Sequence, residues 1–366
     1  MKNIILLIAF GLISSCQKDD PIIGDSDPME ESKYFPPISG PEWQQIDTDS
    51  MGWNFEAMEA LKAFMVDTKS RAIIILKDGK IAFEHYEGNN LLGLDFNSSS
   101  NWYWASAGKT LTSFLIGQAK EEGFLDINNS SSTYQGEAWT NLPAENEKNI
   151  TVRHQLTMTS GLDDTNGDSN CTDPECLIFL TEPGNRWAYH NAAYTLLDAV
   201  IEGATGEAFD HFFERKLKDK IGMDGFWTSL DYNHVYFSTA RSMARFGLLN
   251  LNEGMWEEDK ILGDATYYQQ MINTSQSHNP SYGYLWWLNG KTSYMLPGLQ
   301  FEFPGSIVGS APVDMVSGIG KNGQIVSFIP SKNMVVVRMG ENPDDALVPI
   351  VFVNDLWEII NDIVGR

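Results

Sequence analysis

Asn101-Trp-Tyr-Trp-Ala-Ser106-Ala-Gly-Lys109-Thr-Leu-Thr-Ser-Phe-Leu-Ile-Gly-Gln-Ala-Lys-Glu-Glu122 is the stretch on which the fold of this chain is decided. Leu111, Phe114, Leu115 and Ala119 recur at helical spacing, so Thr110–Glu122 reads as a helix with Ser106 and Lys109 at its start. Residues three apart on a helix share a face, which sets the Lys109 ammonium beside the Ser106 hydroxyl. The helix N-terminus adds positive potential and free N–H groups, favouring alkoxide and oxyanion alike. A serine hydroxyl is a weak nucleophile until something takes its proton, and a neighbouring amine serves, neutral or as a positive partner. S-x-x-K alone is common, and Ser15–Lys18 is a second example in this chain.

Outward from the helix, elements appear in a particular order. Phe55, Met58, Leu61 and Met65 space a helix over Phe55 to Met65, and two apolar runs, Ala72–Leu76 and Ile81–Tyr86, flank Asp78-Gly79 as a β-hairpin. Roughly 125–265 is mainly helical, including Ala192–Gly203 and Ser238–Asn252. Strands return at Tyr284–Leu288, Gln324–Ile329 and Met334–Met339, and Pro349 to Val364 closes as an amphipathic helix. Strands at both chain ends with helices between imply an α+β fold. An antiparallel sheet is built from the two ends, flanked by helices, with a helical lobe inserted and the site in the crevice between lobes.

Glu182-Pro-Gly-Asn-Arg-Trp-Ala-Tyr189-His-Asn191 carries the single Y-x-N of the chain. A phenol titrates near 10, but neighbouring cations lower it, so Tyr189 can act as a base. Asn191 can offer its amide to a substrate carbonyl or hold Lys109.

S-x-x-K at a helix start followed by Y-x-N some eighty residues on resembles the class C β-lactamase and esterase group of penicillin-recognising serine hydrolases. Ile150–Leu162, Pro183-Gly184, Arg241–Leu248 and the run from Gly323 through Pro330 to Val337 resemble further segments of that family. The resemblance covers about 55–365 and implies an antiparallel sheet with a helical lobe. It also implies Ser106 as nucleophile, Lys109 as its activating partner, Tyr189 as base and later acid, and Asn191 as polar support. The oxyanion donors it implies are the Ser106 N–H and one from Ser317-Gly318-Ile319, either Ile319 or Gly318.

The third family motif, Lys-Thr-Gly or His-x-Gly, has no counterpart. Met315-Val316-Ser317, or Val316-Ser317-Gly318, stands there without a cation, and Lys321-Asn322-Gly323 falls several residues late. A β-lactamase or D,D-peptidase grips its substrate carboxylate with that cation. Its absence favours an esterase or amidase, as does similarity to the 6-aminohexanoate-dimer hydrolase branch. His190, where that branch usually has Ser, leaves the pocket's polarity open. The expected function is a serine hydrolase acting on a small ester or amide through a Ser106 acyl-enzyme. The rivals are a β-lactamase or D,D-peptidase and a non-catalytic ligand-binding lipoprotein. No cofactor is expected, and the oligomeric state is open.

Other patterns carry less. Gly318-x-Gly320-x-x-Gly323 has dinucleotide-loop spacing but precedes a strand, and Gly108-Lys109-Thr110 lacks the first glycine of a P-loop. Trp102, Tyr103, Trp104, Trp286 and Trp287 read mostly as core, with one or two lining an apolar acyl pocket. Asp164 to Glu175 has calcium-loop spacing, but Ser169 stands where the turn wants Gly; a solvated acidic loop is the simpler reading, and no metal is assigned.

Residues 1–15 read as an export signal: Lys2, an apolar run from Ile4 to Ile13 too short to span a bilayer, then Ser14-Ser15-Cys16, which resembles a bacterial lipobox. Cys16 is thus the expected lipid site, 16–45 a lipidated tether rich in Asp, Pro, Ser and Gly, and 46–366 the hydrolase domain. Gln17-Lys18-Asp19-Asp20 resembles a sorting signal to the outer membrane, facing periplasm or surface. The two remaining of the three cysteines, Cys171 and Cys176, then form a loop disulfide in an oxidising compartment. With 49 acidic against 25 basic residues and a net charge of −24, the chain repels polyanions. Nucleic acid is therefore excluded as a partner, and the membrane is reached through the Cys16 lipid alone.

Overall fold

The computed structural model describes residues 33–165, 167–344, 346 and 348–365. Cys16 and the export signal lie outside them. Ser70–Lys77 and Lys80–Tyr86 pair antiparallel across Asp78 (φ 54°) and Gly79 (φ 81°), two left-handed residues of a tight hairpin turn. Ser70–Lys77 also pairs with Met334–Gly340, so Ser70 lies opposite Gly340. Beyond it the sheet continues with Gln324–Ile329, Val316–Gly320 and the short Trp287–Leu288, six antiparallel strands from the two ends of the chain.

Both faces of this sheet are covered, which is why its central strands read as unbroken apolar runs and not as alternating ones. On one face lie the terminal helices Phe55–Asp67 and Ile350–Val364, joined through stacked Phe64 and Phe352 rings 5.5 Å apart. On the other lies Ala240–Leu251, where Gly247 permits the approach: a Cβ there would sit 2.5 Å from Val335 Cγ1.

Three expectations need correction. The middle of the chain is not simply helical: Phe226–Leu230 and Asn233–Ser238 form a hairpin that pairs with Trp102–Tyr103. Trp227, His234 and Tyr236 pack together on one face of it and Phe226 stacks on Phe237 on the other, so cross-strand aromatic pairs hold it. The predicted strand at Tyr284–Leu288 shrinks to Trp287–Leu288, because Leu285 turns into the left-handed region (φ 63°) and gives its N–H to the Leu156 carbonyl.

Residues 34–45, expected as part of the tether, are not free of the domain. From Tyr34 onward the chain is fastened to the domain: the Tyr34 N–H bonds the Asp78 carbonyl, Arg245 bonds the Pro37 carbonyl, and Gln44 and Ile46 pair with Ile81. Gly79 and Gly222 make room for it, since a Cβ would stand 1.8 Å from the Tyr34 carbonyl oxygen and 2.2 Å from that of Ile38, respectively. No helix of the described residues is long and apolar enough to cross a membrane.

Candidate active site

Ala105–Gly108 is a single 3₁₀ turn that runs directly into the helix Lys109–Glu121. Ala105 enters it at φ 46°, a left-handed value that is costly for a residue bearing a Cβ and is held by the surrounding packing. This sharp entry presents half-buried Ser106 at the helix start, as the sequence implies.

Lys109 is 3% exposed and points under the turn against two tyrosine rings. Its Nζ lies 3.9 Å from the Tyr194 ring centre and 5.3 Å from that of Tyr189. Burial pushes its ammonium down to about 7, with the charge of Asp198 acting in the opposite sense. A nearly buried amine with rings instead of carboxylates around it is therefore able to exchange a proton at neutral pH.

Tyr189 behaves differently from the expectation of a phenolate. Burial raises its phenol above the ordinary value, and hydrogen bonds with Ser106 and Tyr282 only partly offset this. Its ring stacks on Trp287 (6.2 Å between centres, 11° between planes) and meets Tyr282 edge-on. Burial thus favours the protonated phenol of Tyr189, hydrogen-bonded to Ser106, and the neutral amine of Lys109. The aromatic packing that fixes Tyr189 is the same packing that keeps water from stabilising its anion.

The loop that delivers Tyr189 is stitched to the preceding segment. Val152–Leu156 is a one-turn helix capped by Thr151, and Met158 and Thr159 carbonyls accept from Ala188 and Gly184 N–H groups. Gly161 (φ 80°) is required where the loop doubles back, because a Cβ would stand 2.1 Å from the Thr181 carbonyl oxygen. His190 is buried, held neutral by burial, and caps the helix Asn191–Thr195 by accepting from the Ala193 N–H.

Asn191 does not hold Lys109. It donates from Nδ2 to Asn170 Oδ1 at 2.9 Å, next to the Cys171–Cys176 disulfide, and its own Oδ1 is buried without a partner. In the segment before it Asp164 pairs with Arg186 at 2.6 Å and Asp168 accepts from Asn170. Those carboxylates are engaged within the protein, and Asn166 of the calcium-like pattern lies outside the described residues. Among the described residues no cluster of three or more His, Cys, Asp or Glu is arranged to hold a metal ion.

Val316–Gly320 runs directly over the Ala105–Gly108 turn. A Cβ on Gly320 would lie 2.7 Å from the Trp104 carbonyl oxygen, 2.8 Å from the Ala107 nitrogen and 3.0 Å from the Ser106 nitrogen; one on Gly318 would meet Thr110 Cγ2 at 3.0 Å. The glycine spacing that mimics a dinucleotide loop therefore serves a close strand-to-turn contact. Along an antiparallel strand alternate peptides face the same edge. Met315 accepts from the Asn289 N–H at that edge, so Ser317 and Ile319 face it too, while Gly318 faces Gln324–Ile329. Trp287–Leu288 pairs only with Val316 and Ser317, which leaves the Ile319 N–H beyond the last paired residue of that edge, one residue before Gly320, whose Cβ position lies 3.0 Å from the Ser106 nitrogen. Of the two oxyanion candidates on this strand, Ile319 faces the edge that Trp287–Leu288 leaves open and Gly318 faces Gln324–Ile329. Lys321 sits exposed in the turn after the strand, and the strand itself carries no cation.

The β-lactamase family model matches residues 59–345. The chain belongs to the β-lactamase family. Among solved structures of this fold, a chain assigned as a 6-aminohexanoate-dimer hydrolase from Bacillus anthracis is 18% identical, with a TM-score of 0.66 and 90% of this chain covered against 89% of that one. A penicillin-binding protein from Bacillus halodurans is 19% identical, with a TM-score of 0.58, covering 82% of this chain and 99% of that one. A curated Bacillus subtilis protein assigned as a penicillin-binding protein is 28% identical over 148 residues, which are 38% of this chain and 34% of that relative's length. At these identities the structural likeness establishes the β-lactamase fold, a sheet from both chain ends with helices, in agreement with the sequence reading.

Sequence reasoning missed Tyr194, Tyr282 and the partnership of Trp287 with Tyr189. Tyr194 was within reach, one and a half turns beyond Tyr189 in the same segment. Tyr282 had no signal, because only the tertiary fold brings it to the phenol. Trp102 and Trp104 are core residues, donating to the Gly340 carbonyl and to Ser238 Oγ.

Proposed function

We propose that this β-lactamase-family hydrolase cleaves a small ester or amide through an acyl-enzyme on Ser106. The observation that carries the reading is the buried Lys109 amine, brought down to about 7 at the base of the turn presenting Ser106. Neutral Lys109 takes the Ser106 proton as Oγ attacks the acyl carbonyl, and the oxygen that becomes negative is received by the Ser106 and Ile319 N–H groups. Removing one such donor typically costs about 10²–10³ in rate. Collapse expels the leaving group, protonated from the Lys109 ammonium through the Tyr189 phenol, and a water repeats the sequence in reverse to free the acid.

Esters and linear amides are favoured over penicillins because Met315-Val316-Ser317 offers no cation for a substrate carboxylate. The aromatic wall of Tyr189, Tyr282 and Trp287 favours an apolar acyl or leaving group. The lipobox-like Ser14-Ser15-Cys16 favours display from a lipid-anchored Cys16 on the outer membrane.

Fluorophosphonate labelling followed by intact mass tests the reading. One adduct on the wild-type protein and none on Ser106→Ala is the expected result. No adduct, or equal labelling of Ser106→Ala, overturns it. Turnover of a short-chain chromogenic ester without a stable penicillin adduct separates the esterase from a β-lactamase or D,D-peptidase.

A further inference from the structure

Behind the nucleophile turn lies a second charged assembly that makes and breaks no substrate bonds. Asp198 lies in the first turn of the helix Leu197–Thr205, four residues after Tyr194, whose ring carries the Lys109 Nζ at 3.9 Å. Asp198 Oδ2 is 2.8 Å from His234 Nδ1, on the hairpin strand Asn233–Ser238. The His234 ring packs on Trp227 at 4.9 Å, and Trp227 in turn reaches the underside of the turn, 3.8 Å from the Cβ position of Gly108. The second Asp198 oxygen is buried without a partner.

Lys109 forms no ion pair among the described residues, and Asp198 is the charge that acts on it through space. We propose that Asp198, anchored by His234, is a positioning residue that sets the protonation of Lys109 across the Tyr194 ring. The titratable and charged groups around the pair come from every packed element: Glu202 on the same helix, Asp210 and Glu214 with Lys218 on the next, His234 on the hairpin, and Lys109 and Tyr194 on the active-site side. Burial presses His234 down, but the hydrogen bond and charge of Asp198, with Asp210 and Glu202, carry it net above its ordinary value. Burial raises the Asp198 carboxyl to about 6, with the His234 hydrogen bond acting in the opposite sense, so above that pH Asp198 is a carboxylate. Charge at Asp198 favours the ammonium, so it holds the onset of nucleophile activation at a higher pH than an apolar seat would.

This inference rests on the Ser106 acyl-enzyme reading, and its test keeps the two apart. The second-order rate of fluorophosphonate labelling at Ser106 is measured from pH 5 to 9 (about that range suffices to bracket the limb), with thermal melts confirming folded protein. Asp198→Asn keeps size and an acceptor for His234 but removes the charge, and should move the acid limb about half to one pH unit lower. On the limb itself that is about three- to tenfold faster labelling. Asp198→Glu and Asp198→Gln form a second pair of equal size should Asn be unstable: Glu should keep the wild-type limb and Gln should lower it. An unmoved limb in Asp198→Asn, or equal shifts in Glu and Gln, overturns the role of Asp198 while leaving the hydrolase reading intact. Absence of any Ser106-dependent labelling in the wild type overturns the reading beneath it.

Discussion

Replacing Gly320 with Ala adds one methyl group at the point where the strand crosses the nucleophile turn. Its Cβ would stand 2.7 Å from the Trp104 carbonyl oxygen and 2.8–3.0 Å from the Ala107 and Ser106 nitrogens, all of them backbone atoms that cannot swing aside. Ordinary contact begins near ~3.4 Å, so strand and turn must separate by roughly 0.4–0.7 Å. Overpacking of this kind typically costs about 1–3 kcal/mol of stability, leaving a folded protein. The separation falls between the Ser106 and Ile319 N–H groups, and a misplacement approaching 1 Å at reacting groups costs about 10² in rate. We therefore expect kcat/KM on a chromogenic ester to fall about 10–100-fold, normalised to folded protein by circular dichroism. Gly309→Ala, where the nearest atom is Asn354 Oδ1 at 3.7 Å, is the matched control and should stay within about twofold. Wild-type turnover in Gly320→Ala would refute the argument that this strand edge and the Ser106 turn together receive the oxyanion.

Further expectations follow from the same geometry. The acid limb of kcat/KM should fall near pH 7, activity rising with pH as Lys109 loses its proton, and Lys109→Arg, which stays charged, should abolish turnover; a limb near pH 5 would remove Lys109 as the acceptor. Lys321→Ala should change ester turnover by less than about twofold, since its side chain is exposed beyond the strand, and a tenfold rise in KM would show that it grips substrate. Cys171→Ser with Cys176→Ser should lower stability by about 2 kcal/mol, as for a short closed loop, and loosen the Asn170–Asn191 contact; an unchanged denaturant midpoint would sink this. Gly247→Ala should lower the midpoint through a steric clash with Val335, by about 1–3 kcal/mol, with kcat/KM per folded molecule unchanged.

Local chemistry made much of this legible in advance. Asp78-Gly79 between apolar runs specifies a hairpin whatever its surroundings, and Gln324–Ile329 was readable as a strand because burial on both faces leaves no helical period in it. Ser106 and Lys109 were found because their proximity is fixed by three residues of local geometry. Asn191 was misplaced for the opposite reason: its partner, Asn170, is reached only through the folded disulfide loop. The state of Tyr189 was also misjudged. Motif spacing reports which groups meet but not how dry they are, and burial outweighs the hydrogen bonds with Ser106 and Tyr282. Asp198 and His234 sit on separate elements of the inserted lobe, so no spacing in the chain links them to Lys109.

The sheet built from both ends of the chain has a consequence for its assembly. Ser70–Lys77 emerges early in synthesis, yet its partner Met334–Gly340 lies about 260 residues downstream, so one edge of an apolar strand waits until nearly the whole chain is made. Such long-range closure makes for slow, late, all-or-none folding. A chain cut short after Asn333 would therefore lack not merely a final hairpin strand but the cover for Ala72–Leu76. It would present that bare strand to its neighbours as a template for aggregation.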